Sequence, residues 1–144
     1  MFRKFSILLL ILSGLVIASC KKKNKTVQDP IPYQTVYIKL YPNDPLNFKI
    51  QAVGGWIYVS GGVNGIIVYR KSTSEFVALE RTSTYLPNDA GALAKVRPDN
   101  FTCRDTVSGS EWQIIDGAVT KAPATLPLKQ YHTTYDGNQL LITN

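Results

Sequence analysis

Sulfur and imidazole side chains are scarce in this chain of 144 residues. It contains two cysteines, Cys20 and Cys103, and one histidine, His132. Zinc sites need several thiolate and imidazole ligands at set spacings, and the sequence has no such spacing. A nucleophile elbow, a phosphate-binding glycine loop and a recognisable pair of catalytic carboxylates are also missing. We therefore predict that the chain is not an enzyme.

A hydrophobic run long enough for a comfortable membrane span is missing as well. Residues 5–17 are mostly apolar, but a span of the bilayer needs about 20 such residues. Arg3 and Lys4 stand directly before the run. A short positive segment followed by a short apolar run is typical of a signal peptide.

The run ends in the sequence IASC, residues 17–20, which resembles the lipobox of bacterial lipoproteins. In that family the chain is cut before the cysteine, which is then acylated on sulfur and nitrogen. The resemblance implies a signal peptide at 1–19 and a lipidated Cys20; the alternative is an ordinary thiol after an uncleaved helix. Each buried CH₂ of such a lipid contributes about 0.8 kcal/mol. We expect a protein anchored by lipid in the bacterial cell envelope, on the outer membrane facing the periplasm or, alternatively, on the cell surface.

Acidic residues are outnumbered, but the excess of positive charge is local. The chain has 16 lysines and arginines against 10 acidic residues, a net charge of +6. Four lysines stand within 21–25, whereas residues 30–144 carry ten basic and nine acidic residues. A nearly neutral domain gives no support for a nucleic acid partner. We predict a flexible basic tether at 20–32, with its lysines either against anionic headgroups or solvated, and one domain at 33–144.

Amphipathic helices of ten residues are absent too, and alternation of apolar and polar residues predicts strands instead. The predicted strands are 35–41, 46–51, 55–62, 65–71 and 75–81. Asp-Gly turns predict hairpins at 114–119 and at 130–144. A weak helical pattern covers 89–96. These short, closely spaced strands predict an all-β fold of small stacked antiparallel sheets, as a sandwich or barrel.

Two stretches of the chain resemble the Rieske iron–sulfur domain. GIIVYRKSTSEFVALERTSTYLP is similar to that family's strand pair and first cluster loop. GSEWQIIDGAVTKAPATLPLKQY is similar to its second loop and the Pro-rich return. The likeness runs from about Gly65 to Ile142 and implies a Rieske-like fold. In that family a [2Fe–2S] cluster is held by two cysteines on one iron and two histidines on the other.

The resemblance also places the cluster ligands on this sequence. The first loop's Cys-x-His falls on Ser83 and Tyr85, and the second loop's Cys-x-x-His falls on Asp105 and Ser108. None of the four is a Rieske ligand, because iron–sulfur clusters need soft thiolates helped by imidazoles. The resemblance therefore implies a fold that has lost its cluster, and thus no cofactor. The alternative is an atypical [2Fe–2S] or metal site that uses Cys103.

Two further predictions concern the former cluster cavity and the core. Tyr85 and Asp105 would face each other across the cavity, where we predict a hydrogen bond; the alternative is that both point to water. Trp112 and Ile114 are predicted to face the core. Cys103 is predicted to be buried as a small hydrophobe.

Two side chains remain as candidates for another role. His132 is predicted to lie on an exposed strand face, and a reactive or metal-ligand role for it or for Cys103 is the alternative. Trp56 is predicted to be a core or cross-strand aromatic, with a surface for a glycan or peptide as the alternative.

These observations predict a membrane-anchored, non-catalytic binding or scaffolding module with a protein partner in the envelope. One alternative is a Rieske-type electron-transfer protein that uses Cys103. The other is a surface lipoprotein that binds glycans or peptides.

Overall fold

The computed structural model describes residues 29–144. The predicted signal peptide, Cys20 and the lysine-rich segment lie outside the described residues. Strands in the first half are β1 (Tyr37–Leu40), β2 (Trp56–Val59), β3 (Ile66–Arg70), β4 (Phe76–Glu80) and β5 (Ala94–Val96). The second half contains β6 (Thr102–Asp105), β7 (Glu111–Gln113), β8 (Val119–Lys121), β9 (Gln130–Tyr135) and β10 (Leu140–Thr143). One 3₁₀ helix, Pro45–Ile50, connects β1 to β2. Between Asp29 and Asn144, no helix is long and apolar enough to span a bilayer.

The strands form two sheets, which confirms the predicted all-β class. The large sheet has the order β1-β10-β9-β4-β3-β2, and the small sheet has the order β5-β6-β7-β8. All neighbouring strands are antiparallel. The predicted hairpins also form: β9 and β10 are joined through Asp136-Gly137, and β7 and β8 through Asp116-Gly117.

Strands β3 and β4 are buried on both faces, because each face covers a different core. Alternate residues point to opposite sides of a strand. Ile67, Val77 and Leu79 pack with residues of the small sheet in what we call the intersheet core. Ile66 and Ala78 pack against strands β1, β9 and β10 in the large-sheet core. The large sheet therefore curls around its own core and presents its other side to the small sheet.

The prediction of a strand at 46–51 is wrong, since most of this segment is the 3₁₀ helix. Asp44 precedes the helix, and its carboxylate accepts a hydrogen bond from the Leu46 amide at 2.8 Å. Pro45 follows at the first helical position, where its missing N–H costs nothing. Leu46 and Phe48 are 90% and 66% exposed, and of the three alternating apolar residues only Ile50, at 0% exposure, reaches the large-sheet core.

The weak helical prediction at 89–96 is also wrong. Turns occupy the first part, with Gly91 at φ +81°, and Ala94–Val96 forms strand β5. Ala94 pairs with Asp105 of β6 and is fully buried in the intersheet core. Pairing with a distant strand has therefore overridden the local preference of the alanines for a helix.

The domain begins earlier than predicted. Ile31 is only 3% exposed, and Asp29 forms an ion pair with Lys129 at 2.9 Å. The Ile31 amide donates to the Asp29 carboxylate at 2.9 Å. Residues 29–31, which the sequence assigned to the tether, thus pack against the β domain.

Candidate functional site

The first of the two predicted cluster loops follows strand β4. Thr82 forms an isolated bridge with Leu93, and the Ser83 amide donates to the Ala92 carbonyl at 2.9 Å. The Ser83 hydroxyl donates to the Tyr85 carbonyl at 3.0 Å. Ser83 is fully buried, and Tyr85 is half-buried against the intersheet core. The loop is therefore closed by its own backbone and by the Ser83 side chain.

The second loop joins β6 to β7 and is organised around Asp105. The Asp105 carboxylate accepts hydrogen bonds from the Val107 amide at 2.8 Å and from the Ser108 hydroxyl at 2.6 Å. The hydroxyl oxygens of Ser108 and Ser110 are 2.9 Å apart. Because the Ser108 proton goes to the carboxylate, the Ser110 hydroxyl must donate the proton between the two serines. The Gly109 amide closes the turn on the Asp105 carbonyl at 2.8 Å.

The Pro-rich return connects both loops to the small sheet. The Leu126 carbonyl accepts hydrogen bonds from the Thr84 hydroxyl at 2.7 Å and from the Trp112 indole N–H at 3.1 Å. The Ala124 amide donates to the Ser110 hydroxyl oxygen at 3.0 Å. One carbonyl thus ties the first loop to the core tryptophan, and one hydroxyl ties the second loop to the return.

The predicted hydrogen bond between Tyr85 and Asp105 does not form within residues 29–144. Asp105 is fully buried, and both of its carboxylate oxygens have partners inside its own loop. The alternative, in which both side chains point to water, is also wrong for Asp105. Asp105 bonds the amide two residues later and the serine hydroxyl three residues later, as is typical of Asp in turns. A hydrogen bond to Tyr85 across the cavity would have to replace one of these local bonds.

The donor atoms at these four positions do not suit an iron–sulfur cluster. They offer two serine hydroxyls, one phenol and one carboxylate, and Asp105 and Ser108 bond each other at 2.6 Å. Iron bridged by sulfide takes thiolates and imidazoles. In the described part of the chain, no group of three or more His, Cys, Asp or Glu side chains is placed to hold a metal ion.

Cys103 lies in the intersheet core, as the sequence predicted. Its side chain is fully buried on β6, where residue Cys103 pairs with Trp112. Burial raises the pKa of the Cys103 thiol to about 12, and the negative charge of Asp99 adds to the effect. A thiol at that pKa is a poor nucleophile near neutral pH, because nucleophilic attack needs the thiolate.

His132 lies on the exposed face of β9, as predicted, and its Nε2 is 3.2 Å from the Thr134 hydroxyl. The predicted core position of Trp112 and Ile114 is confirmed, since they are 0% and 1% exposed. The histidine is thus on the large sheet, and the cysteine is in the core between the sheets.

The aromatic pair Trp56 and Tyr58 joins the edge of the large sheet to the small sheet. The Trp56 indole N–H donates to the Asn100 side-chain oxygen at 2.9 Å. The Tyr58 hydroxyl accepts from the Val96 amide at 3.0 Å. The two rings pack edge to face, with centroids 5.0 Å apart. The polar atoms of both rings are thus used between the sheets, whereas Trp56 is half-buried and Tyr58 is 42% exposed. A glycan or peptide surface at these rings stays a prediction.

A buried carboxylate that the sequence analysis did not identify lies at the end of β4. Glu80 is fully buried and accepts hydrogen bonds from the Thr82 amide at 2.9 Å and the Thr82 hydroxyl at 2.7 Å. It also accepts from the Val63 and Asn64 amides and from the Tyr131 hydroxyl. Burial acts to raise the pKa of Glu80, but these hydrogen bonds outweigh it and the pKa is lowered. Conversely, burial and the Glu80 carboxylate raise the pKa of Tyr131.

Glu80 therefore holds the β2–β3 turn against β4 and β9 as a charged acceptor. Gly62 of that turn has φ +61°, and a Cβ at this position would overlap the Glu80 carboxylate. Period-2 alternation in β4 places Glu80 on the same face as Phe76 and Ala78, which was the available signal for its burial. Its partners in the turn and in β9 are distant in sequence and gave no signal.

Arg70 is the buried cation that sequence reasoning also missed, at 8% exposure. Its guanidinium donates to four backbone carbonyls, those of Ile50, Gln51, Ser72 and Thr73. It also lies over the ring of Phe76, 5.1 Å from the centroid. Arg70 thus fastens the end of the 3₁₀ helix to the β3–β4 turn, a structural role.

Comparison with known proteins gives likenesses in structure alone. No family model matches the sequence, and no curated protein matches it. A chain from the complex of reduced oxygenase and oxidized ferredoxin in carbazole 1,9a-dioxygenase is similar, with a TM-score of 0.48 and 18% identity over 74% of this chain and 93% of that one. The ferredoxin of carbazole 1,9a-dioxygenase from Nocardioides aromaticivorans IC177 has a TM-score of 0.47 and 16% identity over 76% and 97%. These likenesses concern the fold, and at such TM-scores they carry no argument about cofactor or activity.

Proposed function

We propose that this chain is a membrane-anchored lipoprotein of the bacterial cell envelope whose β domain is a non-catalytic binding or scaffolding module without an iron–sulfur cluster. The observation that carries the proposal is the closed hydrogen bonding of the second loop. Asp105 is fully buried, and its carboxylate is bonded to the Val107 amide and the Ser108 hydroxyl. The loop that resembles a cluster loop is thus organised by a side chain of its own.

The chemistry of the remaining donors supports the same proposal. A Rieske-type cluster needs two thiolates and two imidazoles. Residues 29–144 contain one cysteine and one histidine. Cys103 is buried between the sheets with a raised pKa, and His132 is exposed on β9. These two side chains belong to different sheets and do not form a common site.

Of the two alternatives, the one that iron chemistry tests is a redox protein with an atypical [2Fe–2S] or metal site at Cys103. The two differ in iron and acid-labile sulfide after anaerobic reconstitution with iron and sulfide. We expect a folded, colourless protein with no stoichiometric iron, and the Cys103→Ser variant should give the same result. The His132→Gln variant is the matched control: it removes the single imidazole of the chain and so reports iron bound there adventitiously.

Stoichiometric iron and sulfide with a visible absorption band, abolished in Cys103→Ser, would contradict the proposal. Such a result would make the chain an electron carrier. Because Ser is close to Cys in size, a circular dichroism spectrum of the variant distinguishes loss of a cluster from loss of the fold.

A further inference from the structure

The outward face of the small sheet carries a row of charged side chains, one from each strand. Strand register places Lys95 opposite Arg104, Arg104 opposite Glu111, and Glu111 opposite Lys121. The neighbouring residues of these strands lie in the intersheet core; they are Ala94, Cys103, Trp112 and, partly buried, Val96 and Val119. Because side chains alternate along a strand, Lys95, Arg104 and Glu111 point away from the core. Lys121 is two residues after Val119, but the register shift in the β7–β8 pair brings it to the same outward face, 3.8 Å from Glu111.

The single carboxylate of the row is shared by three cations. Glu111 Oε1 is 3.1 Å from Arg97 Nη1, 3.7 Å from Arg104 Nε and 3.8 Å from Lys121 Nζ. Glu111 is 13% exposed, whereas the side chains of the three cations are 43%, 43% and 57% exposed. One carboxylate cannot neutralise three cations, and Lys95 adds a fourth. We call these five residues the cationic face.

The cationic face is a local concentration of charge on a neutral domain. Residues 29–144 contain ten basic and ten acidic residues, so the rest of the domain is net acidic. Asp99, in the β5–β6 turn, adds one negative charge near Arg97, and its carboxylate also accepts hydrogen bonds from the Thr102 amide and hydroxyl. With Asp99 included, four cations and two carboxylates leave a net charge of +2 at the face. A charge separation of this kind orients a protein towards an anionic partner.

The start of the described chain lies beside the Pro-rich return and the β7–β8 turn of the small sheet. Asp29 pairs with Lys129, just before β9, and lines a groove with the return and with Asp116 of that turn. The proposed lipid anchor at Cys20 is nine residues before Asp29, and nine extended residues span at most about 32 Å.

We propose that the cationic face docks on the anionic phospholipid surface of the membrane that holds the chain, an inference that rests on the proposed lipid anchor at Cys20. The row spans three strand spacings of about 4.8 Å each, and its charges project from one sheet face, which suits a planar array of phosphates. A tether that ends near the sheet keeps the face within reach of the headgroups. The docked domain then exposes the opposite, large sheet to partners.

The test is lysine footprinting of the full lipidated chain, reconstituted in phosphatidylcholine vesicles with or without phosphatidylglycerol. Acetylation followed by mass spectrometry reports each lysine. We expect Lys95 and Lys121 to be acetylated about threefold more slowly on the anionic vesicles, with recovery at high salt. Lys39 and Lys71, which are exposed on the large sheet, are the internal reference and should be acetylated equally on both.

Matched variants separate charge from fold. Arg97→Gln with Arg104→Gln should abolish the protection of Lys95 and Lys121, whereas Lys39→Gln with Lys71→Gln should leave it unchanged. Glu111→Gln removes the only carboxylate of the face and should increase the protection. Circular dichroism of each variant checks that it is folded.

Equal acetylation on the two vesicle compositions would overturn the docking proposal. Protection that needs membrane proteins and is absent from protein-free vesicles would assign the face to an acidic protein, and would overturn it too. Failure of the chain to float with either vesicle type, as expected for Cys20→Ala, would instead contradict the anchor. The two failures are therefore distinguishable.

Discussion

At Glu80, a single carboxylate connects three parts of the large sheet that are far apart in sequence. It accepts from Val63 and Asn64 in one turn, from Thr82 after its own strand, and from Tyr131 on β9. Hydrogen bonds to a charged group are about twice as strong as neutral ones. The ionised form of Glu80 is therefore the one that the fold stabilises, in agreement with its lowered pKa.

We predict that Glu80→Gln loses about 3 kcal/mol of stability at pH 7, because the amide leaves buried donors without an acceptor. The pKa of Glu80 is lower in the folded protein than its ordinary value of 4.5. Ionised Glu80 therefore stabilises the fold above pH 4.5, and this stabilisation is lost as the pH falls through the folded pKa. The difference between wild type and Glu80→Gln should therefore shrink by pH 3. Urea unfolding at both pH values measures it.

The exposed Glu75 provides the control, since Glu75→Gln should change stability little at either pH. Asp99 and Asp136 also have pKa values lowered by hydrogen bonds of their own turns. Both residues are present in the wild type and in the two variants, so their contribution to the pH dependence of stability cancels in the differences. A loss in Glu80→Gln that is equal at pH 7 and pH 3 would show that shape matters at this site and charge does not.

At the scale of elements, the β2–β3 turn depends on a glycine for two reasons. Gly62 has φ +61°, and its missing Cβ leaves room for the Glu80 carboxylate. Gly109, in the second loop, has φ +80° and nothing within 4 Å of the corresponding position. The pair therefore separates backbone strain from steric overlap.

We predict that Gly109→Ala costs about 1 kcal/mol, the penalty for a side chain in the left-handed region. Gly62→Ala should cost about 3 kcal/mol, because overlap with a buried carboxylate adds strain of about 2 kcal/mol. Thermal unfolding of the two variants side by side gives the comparison. Equal losses would mean that the turn moves away from Glu80 without cost.

Alternation of apolar and polar residues predicted the strands whose apolar residues face a core. It predicted a strand wrongly where the alternating apolar residues are exposed. Val36 faces the large-sheet core as its alternation with Tyr37 indicated. Leu46 and Phe48 alternate equally well, yet Asp44 and Pro45 start a 3₁₀ helix that leaves both exposed. The Asp44-Pro45 pair is the local signal for this helix start, and it outweighs the periodicity.

The sequence predicted which residues stand in the two loops, but it did not predict most of their hydrogen-bond partners. The positions of Ser83, Asp105 and Ser108 in two loops followed from the sequence. The local bonding of Asp105 to Val107 and Ser108 is of a kind that turn chemistry predicts. The use of the Leu126 carbonyl by Thr84 and Trp112 depends on tertiary packing, for which the sequence carries no local signal.

At the scale of the whole molecule, two cores share strands β3 and β4, and the small sheet is fixed to them by Trp112 and by the Pro-rich return. The two loops lie on this frame and are closed by their own hydrogen bonds. The proposed cluster-free domain requires that these hydrogen bonds organise the loops without a metal.

Amide hydrogen exchange in the presence of a strong chelator tests this claim most directly. The amides of Ser83, Val107 and Gly109 donate hydrogen bonds within the loops, so each should exchange much more slowly than an unstructured amide. The reference for each amide is its exchange rate in an unstructured peptide of the same sequence. We expect slow exchange of the three amides in the metal-free protein. Fast exchange at all three, reversed by iron and sulfide, would contradict this expectation.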